Sequence, residues 1–208
     1  MPRPEHLVLV SGTGTDVGKT WVGAQVLRRL RDRGVSVAAR KPVQSFKGAD
    51  CATDADVLAE ATGERPEEVC PPHRWLPLPM APPMAAAALG RPPVLLAELV
   101  GELRWPEGVD VGLVEGVGGA RSPLADDGDT VDLAERLEPD LVVVVADPGL
   151  GTINAVRLAS GAFAGVRIAV VLSRYDETCD LHCRNAEWLR SVDGLTVATT
   201  VEELVALL

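Results

Sequence analysis

Aromatic side chains are scarce in this sequence of 208 residues, where they make up 3% of the chain. A hydrophobic core must therefore be built from valine, leucine and alanine, within an apolar share of 47%. Charged residues contribute 24%, which is ordinary for a globular protein. This composition suits a β-sheet enclosed between helices, and the length is typical of one domain, which we predict to span residues 1–208.

The chain also lacks an excess of basic residues. It has 20 lysines and arginines and 30 acidic residues, which give a formal net charge of −10. This balance argues against nucleic acid as a partner, since a phosphate backbone requires a basic surface. The arginines at positions 28, 29, 31 and 33 form a local cluster. We interpret them as the solvated face of a helix, where such side chains are most often found.

Long hydrophobic runs are absent as well. No apolar run reaches the ~18 residues of a membrane-spanning helix, and residues 1–10 lack the features of a secretion signal. We therefore expect a cytoplasmic protein without a membrane partner, whose four cysteines are reduced thiols.

Cys179 and Cys183 have a spacing that zinc sites can use, and Cys51, Cys70 and His73 are distant further candidates. A second closely spaced pair is lacking, so the cysteines are predicted to be ordinary thiols.

Apolar runs alternate with amphipathic stretches along the chain. Strands are predicted at 6–10, 35–43, 111–117, 141–146, 166–172 and 195–199, and helices at 19–33, 54–61, 130–137, 152–164, 185–192 and from 201 onward. The proline-rich residues 70–93 are predicted to be mostly irregular, with helical turns at 84–89. Continuous valine runs indicate strands buried on both faces, as in a parallel sheet. The predicted fold is a doubly wound, mostly parallel α/β sheet with helices on both faces.

The stretch SGTGTDVGKT, residues 11–20, follows the first strand and opens the first helix. Ligands of such folds bind at this edge of the sheet, and free N–H groups at a helix N-terminus suit phosphate oxygens. Lys19 would reach the outer phosphates and the Thr20 hydroxyl would ligate Mg²⁺. A plain strand-to-helix turn is the alternative. The strict phosphate-loop pattern places glycine where this chain has Thr13, between Gly12 and Gly14.

Four further motifs stand at predicted strand or helix ends: RKPVQS at 40–45, TDAD at 53–56, VEGVGG at 114–119 and GTIN at 151–154. Lys41 would lie beside the phosphate loop and stabilise a transferring phosphoryl group, or else face solvent. The residues 53–56 could equally be a helix N-cap with acidic first-turn residues. Glu115 could ligate a metal. The alternative is an ordinary turn, because an acidic residue at a strand end followed by glycines is common. The N–H groups after Gly151 could bind a carboxylate.

In this order, the five motifs resemble those of dethiobiotin synthetase, a phosphate-loop enzyme of biotin biosynthesis and an ATP-dependent cyclo-ligase. The loop resembles G-T-x-T-x-V-G-K-T, and the other motifs resemble K-P-V, E-G-x-G-G and L-G-T-x-N. The resemblance covers residues 12–154 and implies a P-loop NTPase-like fold. It thins beyond about residue 165.

The resemblance also implies roles for individual residues. The catalytic residues would be Lys19 and Lys41. Nucleotide would be bound by Asp16, Val17, Gly18, Lys19, Thr20, Asp54, Glu115, Gly116, Val117, Gly118, Ser173 and Arg174. The substrate would be bound by Thr15, Ser45, Gly151, Thr152, Ile153 and Asn154. The metal ligands would be Thr20, Asp54 and Glu115, with Asp56 as an alternative to Asp54.

One position departs from the family. Ser173-Arg174 stands where the family often has Asn-Arg to read adenine. Because serine lacks an amide that both donates and accepts, other nucleoside triphosphates are expected to serve beside ATP.

The implied substrates are 7,8-diaminononanoate, CO₂ and ATP with Mg²⁺, and the implied assembly is a homodimer that shares its substrate site. The alternative is a nucleotide-switched partition-type ATPase that acts through a protein partner. Its loop usually carries a lysine near the start, where this chain has Gly12-Thr13-Gly14.

Overall fold

The structure is a computed structural model and describes residues 3–48 and 52–208. Cys51, a candidate of the sequence analysis, lies outside these residues. The strands are β1 (His6–Gly12), β2 (Val37–Arg40), β3 (Gln44–Ser45), β4 (Trp75–Leu76), β5 (Val111–Glu115), β6 (Pro123–Ala125), β7 (Gly128–Asp129), β8 (Leu141–Ala146), β9 (Ile168–Leu172) and β10 (Val197–Ala198). The helices are α1 (Lys19–Asp32), α2 (Asp54–Thr62), α3 (Pro66–Val69), α4 (Pro82–Ala88), α5 (Leu96–Glu102), α6 (Thr130–Leu137), α7 (Thr152–Gly161), α8 (Asp180–Ser191) and α9 (Val201–Val205), with a 3₁₀ turn at Pro72–Arg74.

Six strands form a parallel sheet in the order β10-β9-β8-β1-β5-β2. Both of its faces are covered. On β1, Val8 and Val10 pack with residues of α1, α2 and α9, whereas Leu7 and Leu9 pack with residues of α4, α5, α6 and α7. All six residues of β8 are buried. The predicted doubly wound parallel sheet is thus confirmed, and the valine runs lack alternation because neither face meets water.

The second strand is shorter than predicted, ending at Arg40 instead of 43. The chain leaves the sheet there, because the Lys41 N–H donates to the carbonyl of Val69 and Pro42 has no N–H to continue a ladder. It then forms β3, which pairs with β4. This departure places Lys41 directly at the carboxyl edge of the sheet.

Helices α3 and α5 were not predicted, and helix α8 is longer than predicted. Helix α5 was missed because only Leu96 and Leu99 of its seven residues are buried and the stretch follows several prolines. Helix α8 begins at Asp180, five residues before the predicted 185. Its first turn is mostly polar, so it carries no apolar period, and an ion pair of 2.7 Å between Asp180 and Arg184 spans it.

Candidate functional site

The carboxyl ends of β1, β2, β5 and β9 surround a cleft of about 470 Å³. Its lining contains most of the predicted site residues and one that was not predicted, Trp21. The lining residues are Thr15, Asp16, Gly18, Lys19, Thr20, Trp21, Lys41, Ser45, Asp54, Glu115, Val117, Gly118 and Arg174. Residues from four separate motifs therefore meet at one edge of the sheet, where ligands of this fold class bind.

The loop after β1 delivers a free helix start to this cleft. Gly18 is the N-cap of α1 with φ of 96°, a conformation that favours glycine. Among the described residues no side chain caps this end, so its N–H groups are open to an anion. A Cβ on Gly12 would come within 2.8 Å of the Val17 side chain, which explains glycine at the start of the loop.

Lys19 lies folded back on the loop, where its Nζ donates to the carbonyl oxygen of Gly14 at 2.8 Å. Its burial and the nearby ammonium of Lys41 lower the pKa of Lys19 below the ordinary lysine value. The polyanionic part of a ligand would relieve this repulsion, because it adds negative charge beside two cations.

Lys41 is buried and is the centre of a hydrogen-bond network. Its Nζ lies 2.7 Å from Glu115 Oε1, 2.7 Å from Asp54 Oδ2 and 2.9 Å from the Gly116 carbonyl oxygen, so each of its three donors has an acceptor. Burial alone would lower the pKa of Lys41, but the two carboxylates raise it above the ordinary value. The lysine is held as a cation in position at the strand ends.

Three oxygen-bearing side chains converge beside this ammonium. Thr20 Oγ1 lies 2.9 Å from Asp54 Oδ1 and 2.9 Å from Glu115 Oε1. Lys41 lowers the pKa of Asp54, whereas burial raises the pKa of Glu115. Glu115 is 1% exposed, and its Oε2 has no hydrogen-bond partner among the described residues. A buried carboxylate oxygen without a partner is costly unless a cation meets it, so this donor set fits Mg²⁺.

Asp56 has a different place from Asp54. Its Oδ2 accepts from the backbone N–H of Thr53 at 2.7 Å and from the Thr53 hydroxyl at 2.8 Å. The Thr53 side chain in turn accepts from the Asp56 N–H, which completes a capping box at the start of α2. Of the two candidate carboxylates, Asp54 is therefore the one that contacts Lys41 and Thr20.

Matched alanine variants distinguish the two aspartates. We expect Asp56→Ala to lower the free energy of unfolding by ~1 kcal/mol and to change kcat less than twofold, because it removes one half of a cap. Asp54→Ala is expected to lower the kcat of an ATP-dependent reaction in this cleft by about 100-fold, because it removes a carboxylate that holds Lys41 and Thr20 and that would bind Mg²⁺. Urea unfolding and steady-state kinetics on both proteins measure these effects, and a larger kcat loss for Asp56→Ala would reverse the assignment.

Three predicted nucleotide-binding residues, Val17, Gly116 and Ser173, are not among the described residues that line the cleft. The Ser173 hydroxyl donates to the carbonyl of Val17. Gly116 offers its carbonyl to Lys41, whereas Gly118, with φ of 54°, does line the cleft. The neighbouring Arg174 lines the cleft and donates through Nη2 to the Asp16 carbonyl at 2.9 Å.

The predicted substrate residues 151–154 form the start of α7, after the end of β8, and are not among the described residues that line the cleft. Gly151 is the N-cap with φ of 93°. Thr152 is 5% exposed, and its Oγ1 finds no partner in the described part of the chain. Leu150, just before it, is 94% exposed. Thr15 and Ser45, the other predicted substrate residues, do lie in the cleft.

Trp21 was missed because the sequence analysis followed motifs only as far as Thr20. A signal was available, since the apolar stripe of α1 comprises Val22, Val26, Leu27 and Leu30 and leaves Trp21 on the opposite side. In the structure Trp21 is 56% exposed and lies directly after the phosphate loop.

Of the two closely spaced cysteines, Cys183 in the first turn of α8 makes local side-chain contacts. Cys183 Sγ donates to the Glu177 carbonyl at 3.2 Å and lies 3.4 Å from the Tyr175 hydroxyl. Over residues 3–48 and 52–208, no group of three or more His, Cys, Asp or Glu is placed to hold a metal ion. In the same residues, no helix has the length and apolar character needed to cross a bilayer.

Comparison with known proteins shows the family to which this chain is related. A family model described as "AAA domain" matches residues 6–207. The chain is 38% identical over 165 residues to the ATP-dependent dethiobiotin synthetase BioD of Corynebacterium efficiens, covering 78% of this chain and 72% of the relative. It is 37% identical over 201 residues to the protein of that name from Rhodococcus jostii, covering 94% and 85%.

Solved structures share the fold. A putative plasmid partition protein from Borrelia burgdorferi, bound to AMPPNP, superposes with a TM-score of 0.58 at 14% identity and covers 97% of this chain and 90% of that one. This similarity confirms the predicted P-loop NTPase-like fold, and the identity is too low to carry function. The relatives at 37–38% identity do identify the family. The chain belongs to the ATP-dependent dethiobiotin synthetase family.

Proposed function

We propose that this chain forms dethiobiotin from 7,8-diaminononanoate, CO₂ and ATP, with release of ADP and phosphate. One observation carries the proposal, and it is made in a chain of this family: one cleft is lined by two lysines and three side chains with oxygen donors, namely Lys19, Lys41, Thr20, Asp54 and Glu115. The cleft lies at the start of α1, where no side chain of the described residues caps the helix. Two cations beside a helix N-terminus suit a triphosphate, and three oxygen donors suit its metal.

In the first step, one amine of the substrate attacks CO₂, loses a proton and becomes a carbamate. Thr15 and Ser45, which line the cleft, would hold the diamine and the carbamate by their hydroxyl groups. A carbamate oxygen then attacks the γ-phosphorus and ADP leaves, which gives a mixed carbamic–phosphoric anhydride. The second amine attacks its carbonyl carbon, closes the ureido ring and expels phosphate.

The chain contributes positioning and charge to these steps. Lys19 and Lys41 stabilise negative charge on the transferring phosphoryl group, and the N–H groups at the start of α1 hold the phosphate oxygens. Mg²⁺ bound at Thr20, Asp54 and Glu115 would supply charge neutralisation and orient the phosphates. The reaction needs no nucleophilic side chain, because the substrate's own amines and carbamate perform each attack.

We further propose a cytoplasmic homodimer in which residues 151–154 of one subunit receive the distant carboxylate of the diamine in the partner's cleft. Three features support this arrangement: residues 151–154 are not among the described residues that line their own cleft, Leu150 is 94% exposed, and no side chain of the described residues caps the start of α7. The hydroxyl of Thr152, buried and without a partner in the described residues, is a further donor there.

The proposal is tested by incubating the protein with Mg²⁺, ATP, bicarbonate and 7,8-diaminononanoate while ADP and ureido product are measured together. We expect equal amounts of both, and no ADP when the diamine is left out. ATP hydrolysis that does not depend on the diamine and yields no ureido product would contradict the synthetase and favour the nucleotide-switched alternative.

A further inference from the structure

The buried side chain of Gln44 joins the segment that carries Lys41 to the start of helix α2. Gln44 lies in β3, three residues after Lys41, and is 1% exposed. The next residue, Ser45, lines the cleft, whereas Gln44 is not among the described residues that do so. Successive side chains of a strand point to opposite faces, which agrees with this difference. Any effect of Gln44 on a ligand in the cleft must therefore run through the groups that its amide contacts.

The amide of Gln44 makes one hydrogen bond on each side of Asp54. Its Oε1 accepts from the backbone N–H of Ala55 at 3.0 Å, and its Nε2 donates to Thr53 Oγ1 at 3.3 Å. Thr53 and Ala55 are the two chain neighbours of Asp54. A single buried side chain thus holds the residue before Asp54 and the residue after it.

Both partners require the functional group that Gln44 offers them. The Thr53 hydroxyl gives its only proton to Asp56 Oδ2 at 2.8 Å and accepts from the Asp56 N–H at 3.3 Å. It has one lone pair left, which takes an N–H donor. The Ala55 N–H belongs to the first turn of α2, where N–H groups lack an intrahelical acceptor, so it takes the amide oxygen. An apolar side chain of the same size satisfies neither partner.

The position of Asp54 depends on this helix start, because Asp54 is the first residue of α2. Its Oδ1 accepts from the Thr20 hydroxyl at 2.9 Å, and its Oδ2 lies 2.7 Å from Lys41 Nζ. An aspartate side chain is short, so a shift of the helix start moves the carboxylate with it. The segment from Lys41 to Gln44 therefore fixes Asp54 at two places, by the ammonium at its carboxylate and by the amide at its neighbours.

We propose that Gln44 is a positioning residue, which holds the Asp54 carboxylate where it can bind the Mg²⁺ of a nucleoside triphosphate. The inference rests on the proposed function in that Asp54 serves this metal, and it requires neither the diamine nor ring closure. Gln44 touches no reacting atom and acts through Asp54. Groups that orient metal ligands change metal affinity or activity by about 10- to 100-fold when they are removed.

The first test measures ATP binding by calorimetry, once with Mg²⁺ and once in EDTA, for the native chain and for Gln44→Met. Methionine keeps the approximate volume of glutamine and removes both hydrogen bonds. We expect the gain in ATP affinity that Mg²⁺ provides to fall by about tenfold, at the lower end of the range for such groups. The affinity in EDTA should stay within twofold, because the phosphate loop and Lys19 are unchanged. An unchanged gain, or an equal loss with and without Mg²⁺, would overturn the inference.

Asp127→Ala is the matched control for a purely structural role. Asp127 Oδ1 accepts from the backbone N–H of Leu96, the first residue of α5, at 2.7 Å and across 31 positions. It too binds a helix start from a distant part of the chain, and it is outside the described lining of the cleft. Asp127→Ala should lower the urea midpoint of unfolding and leave the gain from Mg²⁺ at the native value. If Gln44→Met behaved in the same way, Gln44 would serve stability alone.

A double variant tests whether Gln44 acts through Asp54. Added to Asp54→Ala, Gln44→Met is expected to change the ATP affinity in Mg²⁺ by less than twofold, because the carboxylate that it positions is gone. A further loss of about tenfold would show that Gln44 acts by another route and would contradict the inference.

The binding measurements also separate this inference from the proposed function. A chain that shows the expected losses and forms no ureido product would support the role of Gln44 and contradict the synthetase. A chain that forms the product and keeps the full Mg²⁺ gain in Gln44→Met would do the reverse.

Discussion

Lys41→Gln is expected to lower kcat for ureido-product formation by about 10³-fold, the loss typical when a donor aimed at developing charge is removed. Lys41 is buried, and each of its donors faces an acceptor at the strand ends. Glutamine can still donate to Glu115, but it brings no positive charge to the transferring phosphoryl group. Affinity for ATP should fall far less than kcat, because Lys19 and the helix start remain.

The neighbouring Arg40 provides a matched control. It is also a buried cation, paired with Glu64 at 2.7 Å and lying 4.9 Å from the centre of the Trp105 ring, away from the cleft lining. Arg40→Gln should destabilise the protein and leave kcat nearly unchanged, whereas the main effect of Lys41→Gln should be the loss of kcat. Thermal unfolding and stopped-time product assays on both proteins make the comparison. Retention of more than a tenth of native kcat by Lys41→Gln would refute the role of this lysine.

Glu115→Gln is expected to raise the Mg²⁺ concentration for half-maximal activity by about 10- to 100-fold, as changes around metal sites commonly do. The variant removes a negative charge next to two lysines and replaces a carboxylate oxygen by an amide nitrogen, which cannot ligate a cation. Glu115 is the natural target because its Oε2 is buried and lacks a partner among the described residues. Activity is measured at fixed ATP over a series of Mg²⁺ concentrations.

Glu64→Gln is the control for this experiment, since it makes the same chemical change in a carboxylate that is largely buried and paired with Arg40. Its Mg²⁺ dependence should match that of the native chain. If Glu115→Gln kept the native Mg²⁺ dependence and lost only stability, Glu115 would serve to hold Lys41 and would not be a metal ligand.

The sequence predicted the regular parts of the fold best where the local pattern was strong. Helix α6 and strand β8 were predicted with the bounds that the structure has. The strand is continuously apolar, and the helix begins at a capping box of Asp129 and Asp132. Helix α5 was missed because two buried leucines in seven residues carry little periodic signal.

For the candidate site, the sequence predicted most of the residues that the structure brings together, but not their contacts. The motifs and their order named the residues that line the cleft, apart from Trp21, because each motif is local to one strand end. The sequence left Asp54 and Asp56 as alternatives, and only the start of α2 separates them: Asp54 faces Lys41, whereas Asp56 caps the helix. The roles of these residues in catalysis stay predictions until the variants are measured.

By itself, the sequence determined the family, the parallel sheet and the phosphate loop, because glycine spacing, apolar runs and strand-end motifs act over a few residues. The tertiary structure decided which atoms meet. The contact between Lys41 and Glu115 joins residues 74 positions apart, and that between Ser173 and Val17 joins residues 156 apart. Such contacts depend on how strands β1, β2, β5 and β9 are ordered in the sheet, and that order, with the start of α2, brings two lysines and two carboxylates together at its carboxyl edge.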